Sequence, residues 1–521
     1  LEGIAGVTVE IQIDRAEGLP GLDMTGLPTA SIREARHRVR AALRSCGYLW
    51  PRERLVVNLA PADVPKAGTA YDLPLAVAVL QQAGQLPREG LDDAVFFGEL
   101  GLEGRVQPCR GAINAALAAR EAGRRRLFTA MESAEEASAV EGIDVIGVVD
   151  LVELVEGLHG RRDVVPHAYV DVQETRRPSV DLSHIQGQPA ARRAIEVAAA
   201  GGHNLLMIGP PGCGKTLLAR AMSGLLPPMD LDERLDVTRI RSVSGLRGEN
   251  GLARHRPFRA PHSSASYAAL VGGGNPPLPG EVSLAHHGVL FLDEIPEFSR
   301  GALEALRAPM EDRQVIISRS GHRVCYPAGF ALVAAMNPCP CGHRGDPSRS
   351  CRCTPLQIER YQRRLSGPLM DRIDLQVRLE PVPLERLMGE RSGETSAEVR
   401  ERIVAARARQ RARNQVDGRG VTNAALGLEE LSRWAAVREE GRDFLLLAAK
   451  RLGLSARSFH RVIRVARTIA DLAEVEHIAR VHLAEAITYR ALDRTSESGG
   501  GGRAQWARPQ KSNKTSQEVQ R

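Results

Sequence analysis

GPPGCGKT, Gly209 to Thr216, is the stretch from which the rest of the chain can be read. It follows the apolar run Leu205 to Ile208 and precedes Leu217, Leu218 and Ala219, so a buried strand feeds a glycine-rich loop and then a helix. Each residue type has a chemical reason. Gly209, Gly212 and Gly214 let main-chain N–H groups wrap a phosphate, and the following helix turns its positive dipole end to the same anion. Lys215 reaches the β- and γ-phosphates, and Thr216 can hold Mg²⁺ through its hydroxyl. A nucleoside triphosphate is therefore expected on Gly209, Pro210, Pro211, Gly212, Cys213, Gly214, Lys215, Thr216 and Leu217.

Working outward, GVLFLDE (Gly288 to Glu294) is a hydrophobic strand that ends in two carboxylates. The C-terminal ends of strands are where ligands gather in an open α/β sheet, so Asp293 is expected to bind Mg²⁺ and Glu294 to orient and polarise the attacking water. The next strand, Phe330 to Met336, delivers Asn337, whose amide can position that water or the γ-phosphate and matches the sensor asparagine of AAA+ proteins. In SGPLMDRIDL, Arg372 resembles the trans-acting arginine finger of ring-forming ATPases of the magnesium chelatase and MCM group. Arg457, at the start of an amphipathic helix, stands where these families carry a second sensor. Ile185 and Gly187 lie where AAA+ ATPases bring backbone near the adenine. A plain surface salt bridge is the alternative for either arginine.

Two insertions interrupt this frame. Arg256 to Gly288 is too rich in Gly, Pro and Ser to be one regular element, and it resembles the extra segment that this group inserts in the second AAA+ helix. RQVIISRSGHRVCYPAG has the pattern of a β-hairpin turning at Ser320-Gly321, with Arg319, His322 and Arg323 at its tip. In related rings such hairpins touch nucleic acid, and tip arginines suit phosphate contacts; a solvated tip is the alternative.

Before the phosphate loop, alternating Val7, Val9, Ile11 and Ile13 predict a strand, Ile32 to Arg44 an amphipathic helix, Leu55 to Leu59 a strand, and Leu73 to Gln81 and Ala112 to Ala122 helices. VNLAPADVPKAGTAYDLPLAVAVL with FFGELGLEGRVQPCRGAINAALAA resembles the Lon protease catalytic domain, a ribosomal S5 domain 2-like fold. The resemblance fails where catalysis would be. Leu75 stands in place of the serine nucleophile after Asp72-Leu73-Pro74, and the partner lysine would fall near Ile113, so no peptidase activity is expected.

The 521 residues exceed one core and suggest about three domains. Apolar runs are short and broken by charge or glycine, so no membrane span is expected; the chain starts at Leu1 without methionine. An excess of 70 Lys+Arg over 63 Asp+Glu, net +7, is compatible with a polyanionic partner if concentrated. Of eight cysteines, Cys339, Cys341, Cys351 and Cys353 cluster as two Cys-x-Cys pairs, which could close a thiolate site for Zn²⁺, with His343 as a spare ligand. Redox-active or merely free thiols are the alternative. The scattered remainder argues against a disulfide framework and for a reducing cytoplasm. From about Leu379 the chain is read as helical; Arg400, Arg407 and Arg411, with Arg402, Arg409 and Arg413, make either a phosphate-tracking surface or a solvated face.

GPPGCGKT, PFRAPHSSAS, GEVSLAHHGVLFLDE, AAMNPCPCG, RLSGPLMDRIDL and ARSFHRVIRVARTIADL together resemble the YifB/ComM family of magnesium-chelatase-like AAA+ ATPases. Ser263 departs from it, standing where a second histidine often follows the one matched by His262. The resemblance implies an α/β multidomain chain: a Lon-like non-proteolytic domain (1–159), an AAA+ P-loop NTPase core (181–380) and a helical lid (381–495), while charge and proline predict a linker (160–180) and a Gly-, Ser- and Gln-rich composition a disordered tail (496–521). It further implies ATP and Mg²⁺, a homo-oligomer, expected to be a hexameric ring, and a DNA helicase promoting branch migration. Two other readings stay open: an ATP-driven protein remodeller, or a chelatase-type subunit with no DNA substrate.

Overall fold

The computed structural model describes residues 1–490 except 88, 172–179, 247–250, 320–321, 348, 383–392, 417–418 and 436. The tail expected at 496–521 and the hairpin turn at Ser320-Gly321 lie outside the described residues.

In the N-terminal part β1 (Glu10–Ala16) pairs antiparallel with β3 (Arg54–Ala60), and β2 (Gly21–Thr25) runs parallel along the other edge of β3. The strand expected from Val7 begins only at Glu10, which pairs with Ala60. Pro61 follows, and having no N–H it cannot extend the ladder, so Val7 has no rung to join. α1 (Ala30–Ser45) buries Ile32, Ala35, Val39, Ala42 and Leu43, a stripe at helical spacing, in a core shared with the apolar α2 (Asp72–Gln82). A second, parallel sheet has the order β4 (Ala94–Phe97), β5 (Arg126–Ala130), β6 (Asp144–Val148), and α3 (Ala112–Glu121) packs beside it. Leu75 and Ile113 are both 0% exposed core residues.

The second half is built on one parallel sheet. Its strands are β7 (Leu205–Ile208), β8 (Phe258–Arg259), β9 (Val289–Leu292) and, after the hairpin of β10 (Gln314–Arg319) and β11 (His322–Pro327), β12 (Ala331–Met336) and β13 (Leu375–Arg378). The spatial order is β8-β9-β12-β7-β13. A parallel sheet covered on both faces needs uninterrupted apolar strands, and all of Val289 to Leu292 and Ala331 to Met336 are buried. Helices α4 (Pro189–Gly201) and α5 (Lys215–Leu225) flank β7 in sequence, and α6 (Leu231–Ser244) follows. The N-terminal part rests on α6: the Gly111 N–H donates to Ser242 Oγ (2.9 Å), and Ile4 O accepts from Asn114 Nδ2 (2.6 Å) and from Arg239 (3.3 Å). Among the described residues no helix is long and apolar enough to cross a membrane.

The C-terminal helices include α7 (Ser396–Arg413), α8 (Glu439–Leu452), α9 (Ala456–Leu472) and α10 (Arg480–Thr488). Ile403 and Ala406 of α7 and Val462, Val465 and Ile469 of α9 share one apolar cluster with Ile195 of α4 and Met222 of α5. Five of the six arginines of α7 have acceptors within the chain. Arg402 bridges Glu196 and Glu394 (both 2.7 Å), Arg407 donates to Ala199 O (2.8 Å), Arg409 to Asp471 O (3.1 Å), Arg411 pairs with Asp230 (3.1 Å) and Arg413 with Asp471 (2.7 Å). These five guanidinium groups are spent on acceptors within the chain.

One buried cluster ties α9 to the sheet. Asp374, 3% exposed, accepts from the Asn204 N–H (2.8 Å) and is ion-paired with Arg461. Burial alone would raise its pKa, but Arg461, His203 and the Asn204 N–H outweigh it and hold the carboxyl far below the usual range. Asp374→Ala leaves Arg461 buried without its partner and is expected to cost about 3–5 kcal/mol. A carboxyl depressed on folding stabilises above its unfolded pKa, so the gap between wild type and variant should begin to close below about pH 3.9. Thermal unfolding followed from neutral to acid pH checks this; a variant that melts with the wild type at pH 7 refutes it.

Candidate nucleotide site

The crevice at the C-terminal end of β7 is where the parallel sheet changes direction in strand order, with β12 on one side and β13 on the other. Gly212 and Gly214 have φ of 78° and 92°, and a Cβ on either would meet nothing within 4 Å. The left-handed backbone demands glycine, and the space above it is open. α5 begins at Lys215 with no side chain capping its first N–H groups. Free amides on a helix start and an open loop are the donor set a phosphate requires, so the residues present fit a nucleotide's anionic end.

Lys215, 9% exposed, donates to Gly209 O (2.7 Å), Pro210 O (2.9 Å) and Asn337 Oδ1 (3.1 Å). Its pKa is drawn down by burial, against the opposing pull of Cys213, Asp293 and Glu294. Thr216 Oγ1 donates to Asp293 Oδ2 (2.9 Å), and the Glu294 N–H caps Asp293 Oδ1 (3.0 Å). β9 thus delivers Asp293 against the phosphate-loop threonine, while β12 delivers Asn337 against the lysine. Glu294 sits at φ 49°, left-handed for a residue with a Cβ, which costs on the order of 1 kcal/mol and is the kind of strain that surrounding structure sustains at reactive positions.

Arg372 and Arg457 are placed elsewhere. Arg372, 5% exposed, donates through Nε to Arg307 O (3.1 Å), to Pro368 O (2.8 Å) and to Glu311. Arg457 meets the other oxygen of Glu311 (3.3 Å). Both arginines converge on one carboxylate, which sequence reasoning missed because Glu311 carries no motif. Gln188 was also missed. At φ 57° its side chain donates to Glu380 O (2.5 Å) and Cys213 O (3.5 Å), pinning the turn after Ile185 and Gly187 to the phosphate loop and to the end of β13.

In the hairpin Arg319 pairs with His322 as the last rung, and Arg323 is exposed. Val315, Ile317, Val324 and Tyr326 are buried on one face, leaving Ile316 and Cys325 outward. The Sγ atoms of Cys339, Cys341, Cys351 and Cys353 lie within 4.8 Å of one another. His343 is not among them; its Nδ1 lies 3.4 Å from Asp346.

Three family models match the chain: "Subunit ChlI of Mg-chelatase" over residues 9–133, "Magnesium chelatase, subunit ChlI" over 181–387, and "Magnesium chelatase, subunit ChlI C-terminal" over 393–490. An uncharacterized protein YifB of Escherichia coli is 44% identical over 491 residues, 94% of either chain. Competence protein ComM of Haemophilus influenzae is 43% identical over 503 residues, 94% of this chain and 96% of its own. An archaeal Lon protease of Halobacterium salinarum is 34% identical over 94 residues, 16% of this chain and 13% of its own.

Proposed function

This chain belongs to the YifB/ComM family of magnesium-chelatase-like proteins, and from that premise we propose that it is an ATP-hydrolysing, ring-forming motor acting on DNA, a helicase promoting branch migration in recombination or natural transformation. The observation that carries the reading is the convergence of Lys215, Thr216, Asp293 and Asn337 on the open glycine loop, with Glu294 beside them. Mg²⁺ held by Thr216 and Asp293 would neutralise charge on the β- and γ-phosphate oxygens. Lys215, now satisfied by loop carbonyls, exchanges them for phosphate oxygens of the bound substrate. The amides of Gly212 to Thr216 hold the same oxygens. Glu294 orients the attacking water, and Asn337 keeps Lys215 and the water in register. Arg372, which in its own chain is held by Glu311, serves the site of a neighbouring subunit, so turnover requires a ring.

DNA enters this proposal through two observations. One relative of similar length is named a competence protein, and the β10–β11 hairpin carries Arg319, His322 and Arg323 at its end. Such cations would grip phosphates without reading sequence, making affinity fall as salt rises. The chelatase description of the matched families favours a second reading, a subunit that drives another protein or metal insertion. Steady-state ATP hydrolysis with no DNA, single strands, duplex and a branched junction separates the two, with Lys215→Ala as the blank. Stimulation that is greatest with the junction and lost in Lys215→Ala is the expected result; turnover indifferent to every DNA overturns the DNA motor and leaves the second reading.

A further inference from the structure

β12 runs into a loop that leaves as Cys339 and Cys341 and returns as Cys351 and Cys353, just before a helix (Pro355–Gln362) capped by Thr354. Both ends of the loop are thus anchored in regular structure, and its two legs meet through sulfur. All four thiols are free. Cys339 Sγ lies 3.4 Å from Cys341 Sγ and 3.6 Å from Cys351 Sγ, and Cys341 Sγ is 3.6 Å from Cys351 Sγ. Disulfide sulfurs sit about 2.05 Å apart, whereas a tetrahedral ion with Zn–S bonds of about 2.3 Å separates its sulfurs by about 3.8 Å. The separations among Cys339, Cys341 and Cys351 are near the second spacing, and Cys353 Sγ lies within 4.8 Å of all three. Four soft ligands with no oxygen donor select Zn²⁺ over Mg²⁺ and leave no open position for chemistry.

The same loop lies against the nucleotide site. Gly342, at φ 82°, is so close to the phosphate loop that a Cβ there would stand 2.7 Å from Pro211 Cδ and 4.0 Å from Asn337 Cγ. Asn337 precedes Cys339 by two residues, and its Oδ1 accepts from Lys215. We propose that Cys339, Cys341, Cys351 and Cys353 bind one structural Zn²⁺ per chain, and that this clasp braces Pro211 and Asn337, so that nucleotide affinity depends on a metal that never touches the nucleotide. The bracing half of this inference rests on the reading of GPPGCGKT as the nucleotide site; the metal half does not.

The full-length protein, incubated with Zn²⁺ alone, desalted and analysed for metal by mass spectrometry, is expected to hold one zinc per chain. The double variant Cys351→Ser, Cys353→Ser should hold none, and Lys215→Ala should still hold one. Binding of a fluorescent ATP analogue should weaken roughly tenfold in the double variant. Because that variant could fail to fold, Gly342→Ala provides a second arm: it should keep its zinc while its Cβ against Pro211 weakens the analogue. Wild-type protein without stoichiometric zinc overturns the site. Stoichiometric zinc with unchanged analogue affinity after both substitutions overturns the bracing. Zinc-loaded wild-type protein that binds no nucleotide refutes the nucleotide site, and with it the bracing, while the metal site stands.

Discussion

Arg372→Ala is expected to lower ATP turnover by about 10³- to 10⁵-fold, the range an arginine donated to a phosphoryl-transfer site is worth. To serve that role the side chain must exchange the acceptors that hold it inside its own chain. Three acceptors, Arg307 O, Pro368 O and Glu311, orient a guanidinium that is only 5% exposed. Its described contacts do not include Lys215, Thr216, Asp293, Glu294 or Asn337, so the loss should be felt by the neighbour's nucleotide. Mixing decides this. Subunits carrying Arg372→Ala retain an intact phosphate loop, and subunits carrying Lys215→Ala retain an intact arginine, so a mixed ring should recover turnover that neither variant has alone. Co-assembly without recovery would exclude donation between subunits. A fall in melting temperature large enough to unfold the variant at assay temperature would assign Arg372 to the Glu311 contact instead.

Glu294→Gln is the second large effect. The amide keeps the size of the carboxylate and the left-handed backbone at φ 49°, but it cannot polarise water, so turnover should drop by about 10²- to 10⁴-fold. Affinity for ATP should stay near wild type, because the groups expected to hold the phosphates, Lys215 and the amides of the loop, are untouched. Single-turnover hydrolysis and equilibrium nucleotide binding, measured side by side, test the split. Turnover within a factor of a few of wild type would remove Glu294 from the chemistry.

The strands and helices that carry the site were legible because each is signalled by its immediate neighbours. Leu205 to Ile208 and Val289 to Leu292 are apolar without interruption since both faces of their sheet are covered, and the hairpin of β10 and β11 alternates since only one of its faces is. Where the reading misplaced an element the missing term was a partner: Val7 keeps the alternation of a strand, but β3 ends at Ala60. The arginines of α7 were ambiguous for a related reason. A helix face shows where Arg407 and Arg413 point, but not that Ala199 O and Asp471 are waiting there, 208 and 58 residues away in sequence.

By itself, then, the amino-acid sequence determined the phosphate loop, the paired carboxylates after β9 and the asparagine after β12, because a strand, a turn and a helix start are contiguous in the chain and their chemistry is set by spacing. The tertiary structure alone decided that Asn337 holds Lys215, that Glu311 gathers Arg372 and Arg457, that Gln188 pins the phosphate loop to β13, and that four sulfurs meet beside Pro211. Each of these depends on which distant group neutralises a charge or accepts a proton. That choice is made only when the burial of apolar surface brings the elements together, and no local pattern records it.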